Sequence, residues 1–338
     1  MQDILICKPS KESDGAPDVV VVGAGLTGLC IARALHALGV RVRVLDKGRG
    51  VGGRLATRRF DGAVFDHGLQ RVDLADHSVR SLLDAALPDG LAGHAGLRHT
   101  PEGLIGMNGI TAIAKALATG LDVALAARVD AVVATASGWQ LRGDGLRLEA
   151  PVVVLTAPVP QVLALAAAGG LTLDPAVQTA LAGVRYHRCV AAMATLNAAE
   201  SDEPPIDPAG TGFCTVPDSR VVAQIVLNHH KGISPAAAAT VHATADWSDA
   251  HWDLPVETRT AQLLAAAQPW LPGVPRVAQG HGWRYARYAG GWSGDACVAL
   301  DAAGTLLVAG DALGGGDVSG ALQSAAAVVA RLGVASGR

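Results

Sequence analysis

Two short runs near the N-terminus carry the residues best suited to chemistry. GAGLTG at 23–28 sets Gly23, Gly25 and Gly28 at the G-x-G-x-x-G spacing. Gly23 permits a tight turn, Gly25 lets backbone approach a pyrophosphate, and Gly28 lets a helix pack closely on a strand. A helix opening there would also turn free N–H groups and a positive dipole end toward the phosphates. Asp46 lies 23 positions after Gly23, where a carboxylate can accept bonds from ribose hydroxyls. A second run, DKGRGVGGR at 46–54, adds four glycines and two arginines at once. Gly52 and Gly53 would let backbone come close to another phosphate oxygen, and Arg54 could pair with it bidentately. Two phosphate-gripping turns on one short stretch suit a long, deeply held dinucleotide, FAD rather than exchangeable NAD.

The surrounding patterns supply the elements that position these runs. DVVVV at 18–22 is a short β-branched run, as in a strand buried on both faces. LCIARALHALG has helical spacing ending at Gly39, and RVRVLD at 41–46 is the next strand, so 18–46 form one βαβ unit. GMNGITAIAKALATG at 106–120 reads as a helix. Short strand-like runs follow, with a turn at GDG, up to the apolar run VVVL. Residues 160–275 change character, mixing Ala-rich helical stretches, the strand candidate VAQIVLN and the loops EPPIDPAG and LPGVP. TLLVAGDA at 305–312 gives one more buried strand, and DVSGALQSAAAVVARL the closing helix. The expected fold is α/β: a Rossmann-type FAD-binding domain with an inserted α+β substrate lobe. The expected division is a polar tail at 1–16, a discontinuous FAD-binding domain at 17–72, 100–165 and 276–338, and a substrate domain at 73–99 and 166–275.

Composition narrows the function classes. The chain has 338 residues, half of them apolar, and a net charge of −3 without a basic block, which argues against nucleic acid as a partner. Five cysteines at long spacings give neither a disulfide framework nor a zinc site, and fit a reducing cytoplasm. The apolar runs are too short or too broken by proline to span a membrane.

GAGLTG followed by DKGRGVGGR is similar to the extended FAD fingerprint of the flavin amine oxidase superfamily. Residues 18–334 resemble, more narrowly, the renalase-like flavoproteins, which oxidise misreduced nicotinamide dinucleotides. FDHGLQ (65–70), VLTAPVPQVLAL (154–165), WLPGVP (270–275), the pair Trp283 and Arg284, and AGDALGG (309–315) carry that likeness. The resemblance implies non-covalent FAD, a small-molecule substrate and molecular oxygen as acceptor. It implies that Gly23, Gly25, Thr27 and Gly28 hold the pyrophosphate, that Asp46 and Lys47 lie at the adenosine ribose, and that Gly53 and Arg54 meet phosphate. Val129, read as part of a strand, would meet the adenine through its backbone. Gly68, Gln70 and Arg71 would flank the isoalloxazine. Gly310 and Asp311 would lie near the ribityl and phosphate portion, while Gly320 and Ala321 would open a helix aimed at the flavin.

Arg71 departs from the family pattern, which has tyrosine after the glutamine. A charge there would favour an anionic substrate group. Gln70, Arg71, His67 and Trp283 are the candidates for the substrate pocket. His281, Trp283, Arg284, Tyr285 and Tyr288 form an aromatic, basic segment in an aromatic-poor chain. His229 and His230 read as a polar turn with no third metal ligand, and no metal is expected. The implied activity is an oxidase that takes a hydride from a reduced N-heterocycle and yields hydrogen peroxide. An amine or ring oxidase or desaturase on the same fold is the alternative, and a non-catalytic nucleotide-binding protein a further one.

Overall fold

The valine run forms β1 (Val19–Val22), where Val19, Val20 and Val21 are fully buried. The computed structural model describes residues 16–197, 210–216 and 218–333. The expected tail, apart from Ala16, and nearly all of EPPIDPAG lie outside them.

After the glycine turn come α1 (Leu26–Ala37) and β2 (Val42–Leu45). The chain turns between them at Gly39, where φ is +81°. β3 (Thr57–Phe60) and β4 (Ala63–Asp66) form a hairpin. Past α2 (His77–Ala86) and the short α3 (Gly90–Gly93), β5 (Leu97–Thr100) and β6 (Gly103–Gly106) form another. α4 (Thr111–Ala118) and β7 (Asp122–Ala124) follow. A three-stranded antiparallel sheet comes next: β8 (Ala131–Thr135), β9 (Gly138–Gly143) and β10 (Leu146–Ala150). β11 (Val152–Leu155) returns beside β1, and α5 (Val159–Ala168) and α6 (Pro175–Ala182) lead outward.

The lobe comprises β12 (Arg185–Leu196), β13 (Phe213–Thr215), β14 (Val222–Leu227), β15 (Ala238–Ala243), α7 (Ala245–Ala250), α8 (Val256–Ala267) and β16 (Pro275–Gly290). β17 (Cys297–Ala299), β18 (Leu306–Ala309) and α9 (Asp317–Arg331) close the described chain.

The central sheet runs β17-β18-β11-β1-β2-β7. The strands from β18 to β7 are parallel, and β17 is antiparallel at the edge. This is the expected α/β fold of Rossmann type. The lobe sheet is antiparallel, in the order β13-β14-β15-β12-β16.

Four details depart from the sequence reading. The helix expected over 106–120 begins only at Thr111, because Gly106 ends β6 and Gly109 turns with φ +98°. Residues 73–99 do not join the lobe. Val79 and Leu83, one helical turn apart on α2, pack with Leu87, Leu91 and Leu97 in the core that holds Leu29, Leu35 and Val328. Residues 276–290 do not join the Rossmann half. They form β16, which pairs with β12 over most of its length. Gly280 and Gly282 are bare on the side facing Thr260, Arg259 and Trp252, which lets α8 and the turn after α7 settle on the strand. Val129 lies in the loop before β8, not in a strand.

Candidate functional site

The two glycine runs touch. Gly52 N–H donates to the Ala24 carbonyl at 2.8 Å, and Gly25 and Gly52 pair as a parallel bridge. Asp46 fastens both turns: its Oδ2 accepts from Ala24 N–H at 2.7 Å and its Oδ1 from Gly48 N–H at 2.6 Å. A carboxylate offers about four lone-pair sites, so capacity remains for ribose hydroxyls. Gly23 and Gly53 have φ of +118° and +56°, conformations that favour glycine. A Cβ on Gly28 would collide with the Gly23 carbonyl, so this glycine serves the packing of α1 on β1. Gly25 and Gly310 differ, because a Cβ at either would meet no protein atom within 4 Å. Bare backbone facing open space at the N-terminus of α1 is what a close-lying pyrophosphate needs.

The C-terminal motif closes over these turns. Asp311, almost wholly buried, accepts from Arg54 Nη1 at 2.8 Å and Nη2 at 2.6 Å. Burial alone would weaken the Arg54 charge; the Asp311 carboxylate reverses this and holds the guanidinium above its ordinary pKa. Arg54 therefore clasps the second glycine turn to the AGD turn, and any phosphate it meets lies beside that pair. Gly310 N–H donates to Ser324 Oγ at 2.9 Å on α9. Gly320 and Ala321 are buried in the first turns of α9, and Thr27 Oγ1 donates to the Ala321 carbonyl at 3.2 Å. Thr27 thus has its hydroxyl committed to joining two helix starts. Lys47 is exposed and donates to Gln161 Oε1 at 3.1 Å. Val129 is buried with Val20, Leu45 and Val132, in the loop that returns past Asp46 and Gly48 through Ala126 and Ala127 N–H bonds. Cys297 is buried in β17, in one core with Leu307 and Ala309.

From Asp66 to Arg71 the chain crosses the inner face of the lobe sheet. At the β16 end, the His67 carbonyl accepts from Trp283 Nε1 at 2.7 Å, and His242 Nε2 lies 3.2 Å from it. The His67 ring stacks on Trp283 with centroids 5.5 Å apart and meets His281 edge-on at 5.0 Å. Its Nδ1 is buried without a hydrogen-bond partner among the described residues. Burial first, then the neighbouring His281 and Arg58 charges, pull His67 down to about 3. His242 and His281 fall to about 4, again chiefly through burial. All three are neutral at pH 7.

At the other end, Gln70 is locked, its Nε2 donating to the Asp66 carbonyl at 2.7 Å. Lys231 Nζ donates to Asp66 Oδ2 at 2.6 Å and to Gln70 Oε1 at 3.3 Å, and both charged side chains have 0% exposure. Asp66 also accepts from Thr57 Oγ1 at 2.6 Å and Ile110 N–H at 2.8 Å. Burial pulls the Lys231 ammonium below its ordinary value, and Asp66 opposes it. Arg71 lies over the Phe213 ring.

The candidates His67, Gln70, Arg71 and Trp283 therefore line one face. Asp66, Phe213, Lys231 and His242 join them and were not read from sequence. NHHKG does form a turn, but its lysine is inside the protein. The only local signal was an acid, Asp66, within the FDHG run that calls for a buried cation. Among the described residues, no cluster of three or more His, Cys, Asp or Glu side chains could hold a metal ion. No described helix is long and apolar enough to cross a membrane.

The Rossmann fold and paired turns define a dinucleotide-binding architecture, and residues 21–86 match the family of NAD(P)-binding Rossmann-like domains. A redesigned putrescine oxidase has the same overall fold: TM-score 0.67 at 19% identity, over 94% of this chain and 99% of that one. So does a fatty acid isomerase from P. acnes that produces CLA: TM-score 0.63 at 13% identity, over 95% and 99%. In sequence, 87 residues are 33% identical to chloroplastic protoporphyrinogen oxidase of Nicotiana tabacum. That match spans 25% of this chain and 16% of the tobacco protein, far less than two thirds of its length.

Proposed function

We propose that the protein is a flavin-dependent oxidoreductase that holds FAD non-covalently. The observation that carries this reading is the joined pair of glycine turns, with bare backbone at Gly25 and Gly310, pinned by Asp46 and clasped by Arg54 and Asp311. Gly23, Gly25, Gly52 and Gly53 would face the pyrophosphate with backbone, and Asp46 the ribose. The start of α9 would bring positive dipole to the cofactor. Bound FAD would supply two-electron oxidation, with oxygen as acceptor and hydrogen peroxide as product.

The substrate we infer is a reduced N-heterocycle, such as a misreduced dihydronicotinamide dinucleotide. The neutral, aromatic wall supports it, with the His67 and Trp283 rings stacked and His281 edge-on to both. A cationic amine would need an anion, and the carboxylate identified beside this wall, Asp66, is already paired with Lys231. Oxidation of such a ring yields an aromatic product, so no strong base is required of the protein. A ring oxidase or desaturase of a biosynthetic pathway is the second reading, favoured by the charge of Arg71 on the same face.

Purified protein should be yellow, and acid precipitation should leave the chromophore in the supernatant. Anaerobic mixing with dihydronicotinamide isomers and with cyclic amines should bleach the flavin with the former and not the latter. A colourless protein that does not take up added FAD overturns the proposal, and rapid bleaching by amines alone overturns the substrate.

A further inference from the structure

Arg71 stands at the far end of the 66–71 segment from His67, and its surroundings are unbalanced. Its guanidinium carbon lies 4.5 Å from the centre of the Phe213 ring, on the edge strand β13. An aromatic face is a good platform for a guanidinium, because it attracts the cation and limits its motion without using its N–H groups. Those N–H groups have no acceptor among the described residues, although Arg71 is partly buried. Other partly buried arginines have acceptors: Arg33 the Leu117 carbonyl, Arg41 Asp18 and Arg54 Asp311.

The charges around it leave the imbalance in place. Lys231 Nζ is 5.6 Å from the centre of the same ring, but Asp66 neutralises it at 2.6 Å. Arg98, nearby, donates to the Lys231 carbonyl at 2.5 Å and adds positive charge. Asp73, two residues along, is exposed and accepts from Ala75 N–H at 2.8 Å. A planar fork of five N–H donors that no protein acceptor takes up fits a carboxylate or phosphate. The backbone beneath is anchored by the locked Gln70, so the fork is presented from a fixed position.

We propose that Arg71, held over Phe213, seats an anionic group of the substrate, a carboxylate or a phosphate. The site then takes heterocycles that carry such a group in preference to neutral ones. This rests on the oxidoreductase reading above for what happens to the ring, but not for the binding of the anion.

The test is equilibrium binding of three dead-end heterocycles: nicotinamide, nicotinate and nicotinamide mononucleotide. Binding is read by calorimetry, with or without flavin, and by the visible spectrum when FAD is bound. The parent should bind nicotinate or the mononucleotide roughly 10- to 100-fold more tightly than nicotinamide, the range of a charge-assisted contact. Preference for the first identifies a carboxylate seat, and for the second a phosphate seat. Arg71→Gln should bring the ratio close to one while nicotinamide binds as before. Arg71→Lys should keep part of the preference, and Phe213→Leu should weaken it. A parent that does not discriminate, or a ratio unchanged in Arg71→Gln, overturns the assignment. Should Arg71→Gln fail to fold, unchanged ratios in Arg71→Lys and Phe213→Leu overturn it equally. Absence of bound FAD counts against the proposed function and leaves the calorimetric ratio free to decide the role of Arg71.

Discussion

The nucleotide cleft and the inner face of the lobe are made from different materials. In the cleft, specificity is mostly backbone: turns at Gly23 and Gly53, the bridge between Gly25 and Gly52, N–H groups gathered by Asp46. On the lobe face it is side chain: Lys231 on Asp66, Trp283 and His242 on the His67 carbonyl, Arg71 on Phe213. Under the proposed function, backbone recognition would hold what is common to every turnover. Side-chain recognition can be exchanged without refolding the cleft, which is how one fold comes to host an oxidase and an isomerase.

The contrast can be broken first at Lys231. Lys231→Met leaves the Asp66 carboxylate buried and uncompensated, at a cost of about 3–5 kcal/mol. Urea unfolding should show that loss, and Asp66→Asn in the same chain should recover part of it. A loss under about 1 kcal/mol would mean that the pair does not hold the 66–71 segment to the lobe.

Arg54 is the side chain on which the backbone cleft depends. Arg54→Ala should weaken FAD roughly 10- to 100-fold, the equivalent of about 1.5–3 kcal/mol. Asp311→Asn should add little once Arg54 is gone. Independent, additive effects on the FAD dissociation constant would show that the clasp is not a unit.

The three histidines provide a graded effect, read one histidine at a time. Each titrates near 6.5 when unfolded and at about 3 to 4 when folded. Between those values the unfolded chain binds more protons, so stability falls as pH drops from about 6.5 toward 4. The slope is up to roughly 1.4 kcal/mol per pH unit for each histidine. His281→Asn should remove about one proton's worth of that slope in melts at pH 4.5–6.5. An unchanged slope would place His281 in water.

Gly25→Ala sharpens the contrast with the least effect on the fold. Because its Cβ would meet no protein atom within 4 Å, apo stability should shift by less than about 1 kcal/mol. FAD affinity should nevertheless fall. Gly28→Ala, which would strike the Gly23 carbonyl, should damage both. Equal behaviour of the two variants would remove the ligand from Gly25.

What was legible in the sequence follows the same division. β1, α1, β2 and the glycine turns are contiguous, and the bonds that shape the two turns, Gly52 on Ala24 and Asp46 on Ala24 and Gly48, lie within 18–54 itself. The Arg54–Asp311 clasp joins residues 257 positions apart. Each half could be given a place by its motif, but their direct pairing could not be read from either. Lys231 was hidden because lysine in a polar turn ordinarily faces water. Its burial depends on Asp66, 165 residues earlier in the chain. α2 was misplaced because an amphipathic helix shows that it has a partner without showing which one.

The strand order of the central sheet also has a consequence for how the chain comes to exist. β1, four consecutive valines, is flanked by β2 and by β11, and β11 in turn needs β18, which starts at Leu306. A ribosome adds roughly 5–20 residues per second. For many seconds after β1 emerges, one edge of an all-valine strand therefore has no native neighbour. The nascent Rossmann half is a template for mispairing until most of the chain has been made. The early presence of α1 and β2 shields only its other side. Truncated or slowly translated forms should therefore depend on chaperones far more than the finished protein does.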